Sequence, residues 1–380
     1  MPCSFCALCA SCGQPPDQAP MIPVNIRDVP EEEQVSPAGH FQSFCRNLSL
    51  ALGGVRNAGT WGGGHPFDLQ LRRIPPGKSV CPFHVHFAQW ELFLVRSGHG
   101  TVRVGPDRHA IRPGDVFLQP PGIAHQLLNT GDTDLEVLII TDNPQLDACH
   151  YPDSDKWGLR PPGKFFRLTE APYFDGEEPR MPADVRITNI APPAPESAVA
   201  SNVRNTNIGR VPPLTAAEAP FSARKLNLDD LAWEDWASPK GKFAQSGKQL
   251  SLALGAKHRA PLTAGGHPFD LELARIPPGK CACPFHFHAL QWECYLFLGG
   301  RGEFRLGDER FAVGADDLVM ARPGVAHTFT NTGSEPLSYL LVTDDPPADY
   351  WHYPDSGKWG FSTPRNIFRP AEVDYFDGEE

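Results

Sequence analysis

The chain consists largely of short apolar segments separated by turn residues. Typical segments are FDLQLRRI at 67–74, GTVRVG at 100–105 and LEVLIITD at 135–142. They are rich in β-branched and aromatic residues and are bounded by Gly, Pro or Asn. No long amphipathic helical pattern interrupts them. Such spacing predicts an all-β fold, with an antiparallel sandwich or barrel as the basic unit.

The whole pattern occurs twice, at an offset of 202 residues. GGHPFDL at 63–69 recurs at 265–271, and HYPDSDKWG at 150–158 recurs as HYPDSGKWG at 352–360. A period this long exceeds that of solenoid repeats and indicates a duplicated domain. The predicted organisation is a Cys-rich tail at 1–22, a first domain at 23–178, a Pro- and Ala-rich linker at 179–224, and a second domain at 225–380.

Composition excludes two classes of partner. The formal net charge is −11, which argues against a general nucleic-acid-binding role because phosphate contact needs a basic face. No apolar run approaches the roughly 18 to 20 residues that a membrane-spanning helix needs. We therefore expect neither nucleic acid nor membrane as a partner, and expect a small molecule instead. A homo-oligomer stays open.

Cysteine usage has two parts. Six scattered cysteines lie mostly in apolar contexts, which predicts free thiols in a reducing compartment and hence a cytoplasmic protein. The N-terminal C-x2-C-x2-C-x2-C run, formed by Cys3, Cys6, Cys9 and Cys12, suits zinc or an iron–sulfur cluster. It has no counterpart in the second repeat. Because Met21 stands just before the first repeat, a tail without an ordered metal site is the alternative interpretation.

Paired histidines are the main candidate chemistry. His84 and His86 lie two apart in CPFHVHF, so a strand would point both to the same side. Glu91 follows at an odd offset, which predicts a bend at 87–90 with Glu91 on the next strand. His125, after a Pro-Gly turn, supplies a third imidazole.

The second repeat supplies the equivalent set, formed by His286, His288, Glu293 and His327. Three neutral imidazoles and a carboxylate suit a divalent transition metal with coordination positions left open. The alternative is a group of hydrogen-bonded core histidines. Core packing alone, however, does not demand polar groups at four fixed places in both repeats. We therefore predict up to two metal ions per chain.

These residues form a recognisable two-part motif. In the first repeat it comprises Gly77, His84, His86, Glu91 and Gly98, followed by Gly114, Pro120, Gly122, His125 and Asn129. The motif resembles that of the cupin superfamily, with one extra residue between the first Gly and the His pair. The second repeat matches except that Asp316 replaces the second motif's opening Gly and Arg322 replaces its Pro.

The resemblance to a bicupin implies two tandem jelly-roll barrels, also called double-stranded β-helices, related by internal duplication. It also implies a metal ion inside each barrel, with Fe, Mn, Ni, Cu or Zn as candidates, and a substrate that enters at the barrel mouth. In the oxalate-processing members, an arginine three residues before the first histidine polarises the substrate. Here Cys81 and Cys283 hold that position, which disfavours oxalate chemistry.

The favoured function is an oxygenase-type, dioxygenase-like oxidoreductase that acts on a small polar organic molecule. A metal-dependent isomerase, hydrolase or lyase remains open, as does a non-catalytic ligand-binding or sensing protein. Candidate substrate contacts are Gln89, Gln291 and Arg322. The glutamines could instead stabilise turns, and Arg322 could be a solvated turn residue.

Overall fold

The computed structural model describes residues 22–173, 175, 220–258, 260–362, 365–373 and 377. The run from Cys3 to Cys12 and nearly all of the predicted linker lie outside these residues. The helices in the described part of the chain are short, with three or four residues each. They are the α-helices α1 (Leu48–Ala51) and α2 (Leu250–Ala253) and the 3-10 helices Ile26–Asp28, Thr60–Gly62, Phe221–Ala223, Leu228–Asp230 and Leu262–Ala264. None of them is long and apolar enough to cross a membrane.

The strands follow the internal repeat. The strands up to residue 173 are β1 (Val24–Asn25), β2 (Glu31–Val35), β3 (Gln42–Asn47), β4 (Phe67–Ile74), β5 (Val85–His86), β6 (Glu91–Ser97), β7 (Gly100–Val104), β8 (Asp107–Ile111), β9 (Asp115–Gln119), β10 (His125–Leu128), β11 (Leu135–Asp142), β12 (Asp147–Tyr151), β13 (Lys156–Arg160) and β14 (Lys164–Phe166). The strands from residue 220 onwards are β15 (Lys225–Asn227), β16 (Glu234–Ala237), β17 (Ala244–Gln249), β18 (Phe269–Ile276), β19 (Phe287–His288), β20 (Glu293–Gly299), β21 (Arg301–Leu306), β22 (Glu309–Gly314), β23 (Asp317–Ala321), β24 (His327–Asn331), β25 (Leu337–Asp344), β26 (Tyr350–Tyr353), β27 (Lys358–Ser362) and β28 (Arg365–Phe368).

Each repeat builds the same three antiparallel sheets. In the first repeat they have the orders β15-β9-β6-β11-β4-β3-β2, β10-β7-β8 and β14-β13-β12-β5. The second repeat has β1-β23-β20-β25-β18-β17-β16, β22-β21-β24 and β19-β26-β27-β28. This architecture confirms the predicted all-β fold with two duplicated barrels.

The two repeats exchange a strand. β1 precedes the first barrel but pairs with β23 of the second, with Val24 opposite Leu318. Reciprocally, β15 precedes the second barrel but pairs with β9 of the first, with Leu226 opposite Val116. Each large sheet is therefore completed by the other repeat, which is the isologous arrangement of a two-fold dimer carried out within one chain.

The large sheets are buried on both faces. Along β6, Phe93 and Val95 pack inside the first barrel, whereas Leu92 and Leu94 join a core that contains residues of both repeats. In the second repeat, Leu296 occupies the equivalent position in the shared core. This double burial explains why these strands are continuously apolar in sequence rather than alternating apolar and polar.

The two departures of the second repeat from the motif lie at this interface. Asp316 has a left-handed backbone, φ 68°, where the first repeat has Gly114 at φ 82°. Its carboxylate pairs with Arg27 and Arg96 of the first repeat, each at 2.9 Å. Burial would raise the pKa of Asp316, but the two arginines hold it below its usual value. Asp316 thus joins the repeats at a position where the motif needs a residue that tolerates positive φ.

Reciprocal histidine–tryptophan contacts also join the repeats. The ring of His65 lies 5.3 Å from that of Trp292, and the ring of His267 lies 5.6 Å from that of Trp90. Both Nδ1 atoms are buried without a hydrogen-bond partner. Burial lowers the pKa of each histidine to about 4, with the charge of Arg322 contributing at His65.

This depressed pKa predicts an acid-labile interface. Below pH 6.5 both histidines are protonated in the unfolded chain, whereas in the folded chain they stay neutral until the pH approaches 4. Their contribution to the free energy of unfolding is therefore complete above pH 6.5 and decreases as the pH falls toward 4. At pH 5 the loss is about 2 kcal/mol per histidine. We expect the free energy of unfolding of the wild type, measured relative to the His65→Gln, His267→Gln double variant by urea denaturation, to fall by about 4 kcal/mol for the two histidines together between pH 7 and pH 5.

The comparison with the variant is needed because Asp142 and Asp344 titrate in the same range with the opposite sign. Burial raises the pKa of each to about 7, so their protonation on acidification favours the folded state. The exposed His40, replaced by Gln, is the matched control. A difference between wild type and double variant that does not change with pH would contradict the prediction.

Candidate metal centres

Two clusters of histidine and glutamate lie inside the barrels, one in each repeat. Centre 1 comprises His84, His86, Glu91 and His125. Centre 2 comprises His286, His288, Glu293 and His327. All eight residues were predicted as metal ligands from their spacing.

In centre 1, three short elements bring the side chains together. His86 ends β5, Glu91 begins β6 and His125 begins β10, while His84 forms an isolated bridge with His125. β5 and β6 are separate strands, as the odd offset of Glu91 predicted. His84 and His125 are 7% and 3% exposed, so the cluster is a buried one.

The imidazole Nε2 atoms converge on the Glu91 carboxylate. The Oε2 atom of Glu91 lies 2.6 Å from Nε2 of His125, 3.7 Å from that of His84 and 3.8 Å from that of His86. Two donors on one ion, each about 2.1 Å from it, lie about 3 to 3.5 Å apart. Small side-chain rotations therefore bring these atoms to coordination distance.

Centre 2 has the same geometry. Oε2 of Glu293 lies 2.6 Å from Nε2 of His327 and 3.9 Å from Nε2 of His286. Donor atoms of His286, His288 and Glu293 all lie within 4.8 Å of one another.

The hydrogen bonds of the other ring nitrogens fix the imidazole tautomers. Nδ1 of His84 lies 2.9 Å from the carbonyl oxygen of Pro82, and Nδ1 of His125 lies 3.0 Å from that of Ile123. A carbonyl oxygen can only accept, so each Nδ1 carries the proton and each Nε2 presents a lone pair. The corresponding distances from His286 to Pro284 and from His327 to Val325 are 2.9 and 3.1 Å.

A carboxylate orients the remaining histidine of each centre. Oδ2 of Asp147 lies 2.6 Å from Nδ1 of His86, and Oδ2 of Asp349 lies 2.5 Å from Nδ1 of His288. Such a carboxylate–histidine pair is the usual outer-shell support of a metal-ligating imidazole.

The electrostatics of the clusters suit a cation. Burial would raise the pKa of Glu91, but His86, His125 and His84 hold it well below its usual value, so the carboxylate is ionised. The pKa of Glu293 is lowered in the same way. Burial and the neighbouring His327 lower the pKa of His286 to about 3, which keeps that imidazole neutral. Burial would lower the pKa of His84 and His288, but Cys81 and Glu91 raise that of His84 and Asp349 and Glu293 raise that of His288, so a metal ion would displace a proton from these two rings. Imidazole nitrogens and one ionised carboxylate fit a borderline divalent transition metal rather than an ion that prefers oxygen ligands alone.

The three residues predicted as candidate substrate contacts, Gln89, Gln291 and Arg322, make contacts with the protein itself. Nε2 of Gln89 donates to the backbone oxygen of Asp142 at 2.8 Å, and Nε2 of Gln291 donates to that of Asp344 at 2.7 Å. These bonds correspond to the turn-stabilising alternative, although Gln291 also lines the cavity beside centre 2. Arg322 lies against the first repeat, where a β-carbon added to Gly53 would meet its Nη2 at 3.4 Å, and it is not among the residues that line that cavity.

Strands β12 and β13 supply site residues that sequence reasoning missed. β12 pairs with β5, so that Asp147, Cys149 and Tyr151 line a cavity of about 240 Å³ together with His84 and His86. Burial raises the pKa of the Cys149 thiol to about 11. The recurrence of Asp147 and Tyr151 as Asp349 and Tyr353 was the available signal.

Arg160, the last residue of β13, also lines this cavity, as does Lys164. The Nε and Nη2 atoms of Arg160 are buried and have no hydrogen-bond partner. The residues of the second repeat that correspond to Arg160 and Lys164 are Ser362 and Asn366, which are uncharged. The cavity of centre 2 has a cation from a different position, Arg365, whose guanidinium lies 5.6 Å from the ring of Trp351. The buried guanidinium beside the ligand histidines is therefore particular to centre 1.

Centre 2 opens into a larger cavity of about 570 Å³. Its lining includes Tyr295, Tyr339 and Trp351, whereas the first repeat has Phe93, Val137 and Cys149 at these positions. The Tyr295 hydroxyl donates to Oε2 of Glu293 at 3.1 Å and lies 3.2 Å from Nε2 of His327. The two centres thus share a donor set but differ in what surrounds it.

Comparison with known proteins agrees with this architecture. The family model for the cupin domain matches residues 70–141 and 272–343. The chain is 35% identical over 68 residues to the oxalate-binding protein of Thermotoga maritima, covering 18% of this chain and 55% of that protein. It thus spans about half the length of that relative.

A second relative is matched over more of its length. The chain is 30% identical over 168 residues to auxin-binding protein T85 of Nicotiana tabacum, covering 40% of this chain and 78% of that protein. Among solved structures, the oxalate decarboxylase of Lactobacillus farciminis in its formate complex is similar with a TM-score of 0.46 and 16% identity, covering 87% of this chain and 88% of that one. The chain belongs to the cupin superfamily, as a bicupin with two tandem cupin domains.

Proposed function

We propose that this bicupin is a metal-dependent enzyme that acts on a small organic carboxylate at centre 1, by an oxygenase-type reaction. The observation that carries the proposal is the guanidinium of Arg160, two nitrogens of which are buried at the cavity wall without a partner. A buried charged donor without an acceptor is costly, so such a group points to an anionic ligand.

The donor set of His84, His86, Glu91 and His125 would hold the metal. When bound, a divalent transition ion with open positions supplies Lewis-acid chemistry or a binding site for O2. The residues of the chain do the rest. Arg160 binds and orients the carboxylate through a planar fork of donors, and Lys164 adds a second positive charge.

The environment of the carboxylate also favours this assignment. The cavity is small, about 240 Å³, and Tyr151 and Phe165 line it beside the two cations, so part of the ligand can be apolar. One relative is named for binding oxalate, a dicarboxylate, and another for binding auxin. The position that holds the substrate arginine of oxalate-processing cupins is Cys81 here, but Arg160 offers an equivalent charge from a different strand.

Metal content tests the ligand sets. After loading with Zn²⁺ or Mn²⁺ and gel filtration, we expect two ions per chain in a background in which Cys3, Cys6, Cys9 and Cys12 are replaced by Ser. His86→Ala should remove the ion of centre 1, and His288→Ala that of centre 2, each leaving one, because each deletes an imidazole ligand together with its hydrogen bond to Asp147 or Asp349.

His150→Ala is the matched control, since His150 stacks on Trp157 outside the donor set, with ring centroids 4.6 Å apart. Elemental analysis gives the counts, and circular dichroism checks the fold. An unchanged count in both ligand variants would show that neither centre holds the ion.

Replacement of Arg160 tests the anionic ligand. Arg160→Gln should weaken binding of oxalate or malonate to the metal-loaded chain at least tenfold, because a hydrogen bond to a charged group contributes about 1.5 to 3 kcal/mol. Isothermal titration calorimetry measures the affinity. Arg167→Gln, which removes an exposed arginine directly after β14, and Ser362→Ala in the second repeat should leave the affinity unchanged. Equal affinity in Arg160→Gln would contradict the assignment of this residue.

Oxygen consumption tests the reaction class. The Fe(II)-loaded chain, screened over keto acids, catechols, flavonols and simple carboxylates, should consume O2 only when a substrate is present. Activity should be lost in His86→Ala and retained in His288→Ala. Turnover that continues without O2 would instead identify a lyase, isomerase or hydrolase, and saturable binding without turnover would identify a binding protein.

A further inference from the structure

Centre 1 has a sulfur donor beside it that centre 2 lacks. Strand β12 pairs antiparallel with β5 so that Cys149 lies directly opposite His86. Directly opposed residues present their side chains to the same face of a sheet. Cys149 therefore points toward the same side as His84 and His86, between Asp147 and Tyr151, and it is 9% exposed.

The sulfur is close to the imidazole donors. One ligand atom each from His84, His86 and Cys149 can be chosen so that all three lie within 4.8 Å of one another. His84 also belongs to a second such group, with Glu91 and His125. The two groups share one imidazole, so Cys149 adjoins the donor set described above and is not a separate, isolated thiol.

We propose that Cys149 is an additional metal ligand of centre 1, so that this centre selects a thiophilic divalent ion while centre 2 does not. The proposal rests on the proposed binding of metal at centre 1. Zinc–sulfur bonds of about 2.3 Å and zinc–nitrogen bonds of about 2.1 Å are compatible with donors that move inward from their present separations. The thiol proton passes to solvent as the sulfur–metal bond forms.

Another thiol near the same histidine serves as an internal contrast. Sγ of Cys81 lies 3.5 Å from Nδ1 of His84, and Sγ of Cys283 lies 3.6 Å from Nδ1 of His286. These sulfurs are on the protonated side of the ring, away from the Nε2 that faces the glutamate. They are also equivalent in the two repeats. Because of its position beside Nδ1, Cys81 does not face an ion bound at Nε2. Because Cys283 is its equivalent, Cys81 does not distinguish centre 1 from centre 2.

The second repeat replaces the thiol by an aromatic ring. Trp351 occupies the position of Cys149, and Tyr295 places a hydroxyl on Glu293 and His327. Soft thiolate ligands favour Zn²⁺, Cd²⁺ or copper, whereas nitrogen and oxygen donors alone bind Mn²⁺ and Fe²⁺ as well. Centre 1 thus gains its preference for thiophilic ions from one added sulfur ligand, although its three imidazoles and carboxylate are the same as those of centre 2.

Cadmium titration tests the proposal with a readout that does not depend on activity. The chain carries Ser at positions 3, 6, 9 and 12, and its centre 2 is disabled by His288→Ala. Cd²⁺ should produce a thiolate-to-cadmium charge-transfer absorption that saturates at one ion per chain. Cys149→Ser in this background should abolish the absorption and weaken Cd²⁺ binding at least tenfold, while Mn²⁺ affinity changes less than about threefold.

Cys81→Ser is the matched control and should keep both the absorption and the affinity. Cys149→Ala provides a second removal of the sulfur in case Ser does not fold. Retention of the absorption and affinity in both Cys149 variants would overturn the proposal while leaving metal binding intact. Failure of the parent background to bind any ion, with the fold preserved, would overturn metal binding at centre 1 and this inference with it.

Discussion

The carboxylate of Asp147 holds centre 1 together, and Asp349 does the same in centre 2. One oxygen of Asp147 accepts from Nδ1 of His86, and the other accepts from the backbone amides of Phe87 and Ala88 at 3.1 and 2.8 Å. Burial would raise the pKa of Asp147, but the hydrogen bond from His86 and its charge lower it, so the acceptor is ionised. A single side chain thus fixes the turn after β5, the tautomer of a ligand imidazole and the position of β12 over the barrel.

The rest of the site depends on that attachment. Because β12 begins at Asp147, its next inward residues, Cys149 and Tyr151, necessarily lie along the cavity. β13 then returns antiparallel, with Arg160 opposite Asp147, and this register brings the guanidinium to the same cavity. A strand outside the metal motif therefore determines which groups surround the centre. The same construction in the second repeat delivers Asp349, Trp351 and Tyr353, and the register there puts Ser362 at the position of Arg160.

Much of the fold and the donor clusters could be predicted from the sequence because both depend on local rules. Strand periodicity put His84 and His86 on one face, and the odd offset of Glu91 required a turn before it. Arg160 and Cys149 could not be predicted, because they reach the cavity only through the tertiary pairing of β12 with β5. The roles of Asp316 and Arg322 could not be predicted from the sequence either. Their departure from the motif invited a functional explanation, whereas Asp316 forms ion pairs between the repeats and Arg322 lies against Gly53.

The charge of the whole chain makes the local cations more significant. A net charge of −11 repels an anion at long range, so electrostatic steering does not favour the approach of a carboxylate. Ionic screening limits that repulsion to about 8 Å under physiological conditions. The charged groups that line the cavity are the guanidinium of Arg160, the exposed ammonium of Lys164 and the ionised carboxylate of Asp147 opposite Arg160, to which a bound metal ion would add positive charge. The proposed selectivity for a carboxylate at centre 1 therefore depends on close contacts within the cavity, which would mainly lower the dissociation rate constant.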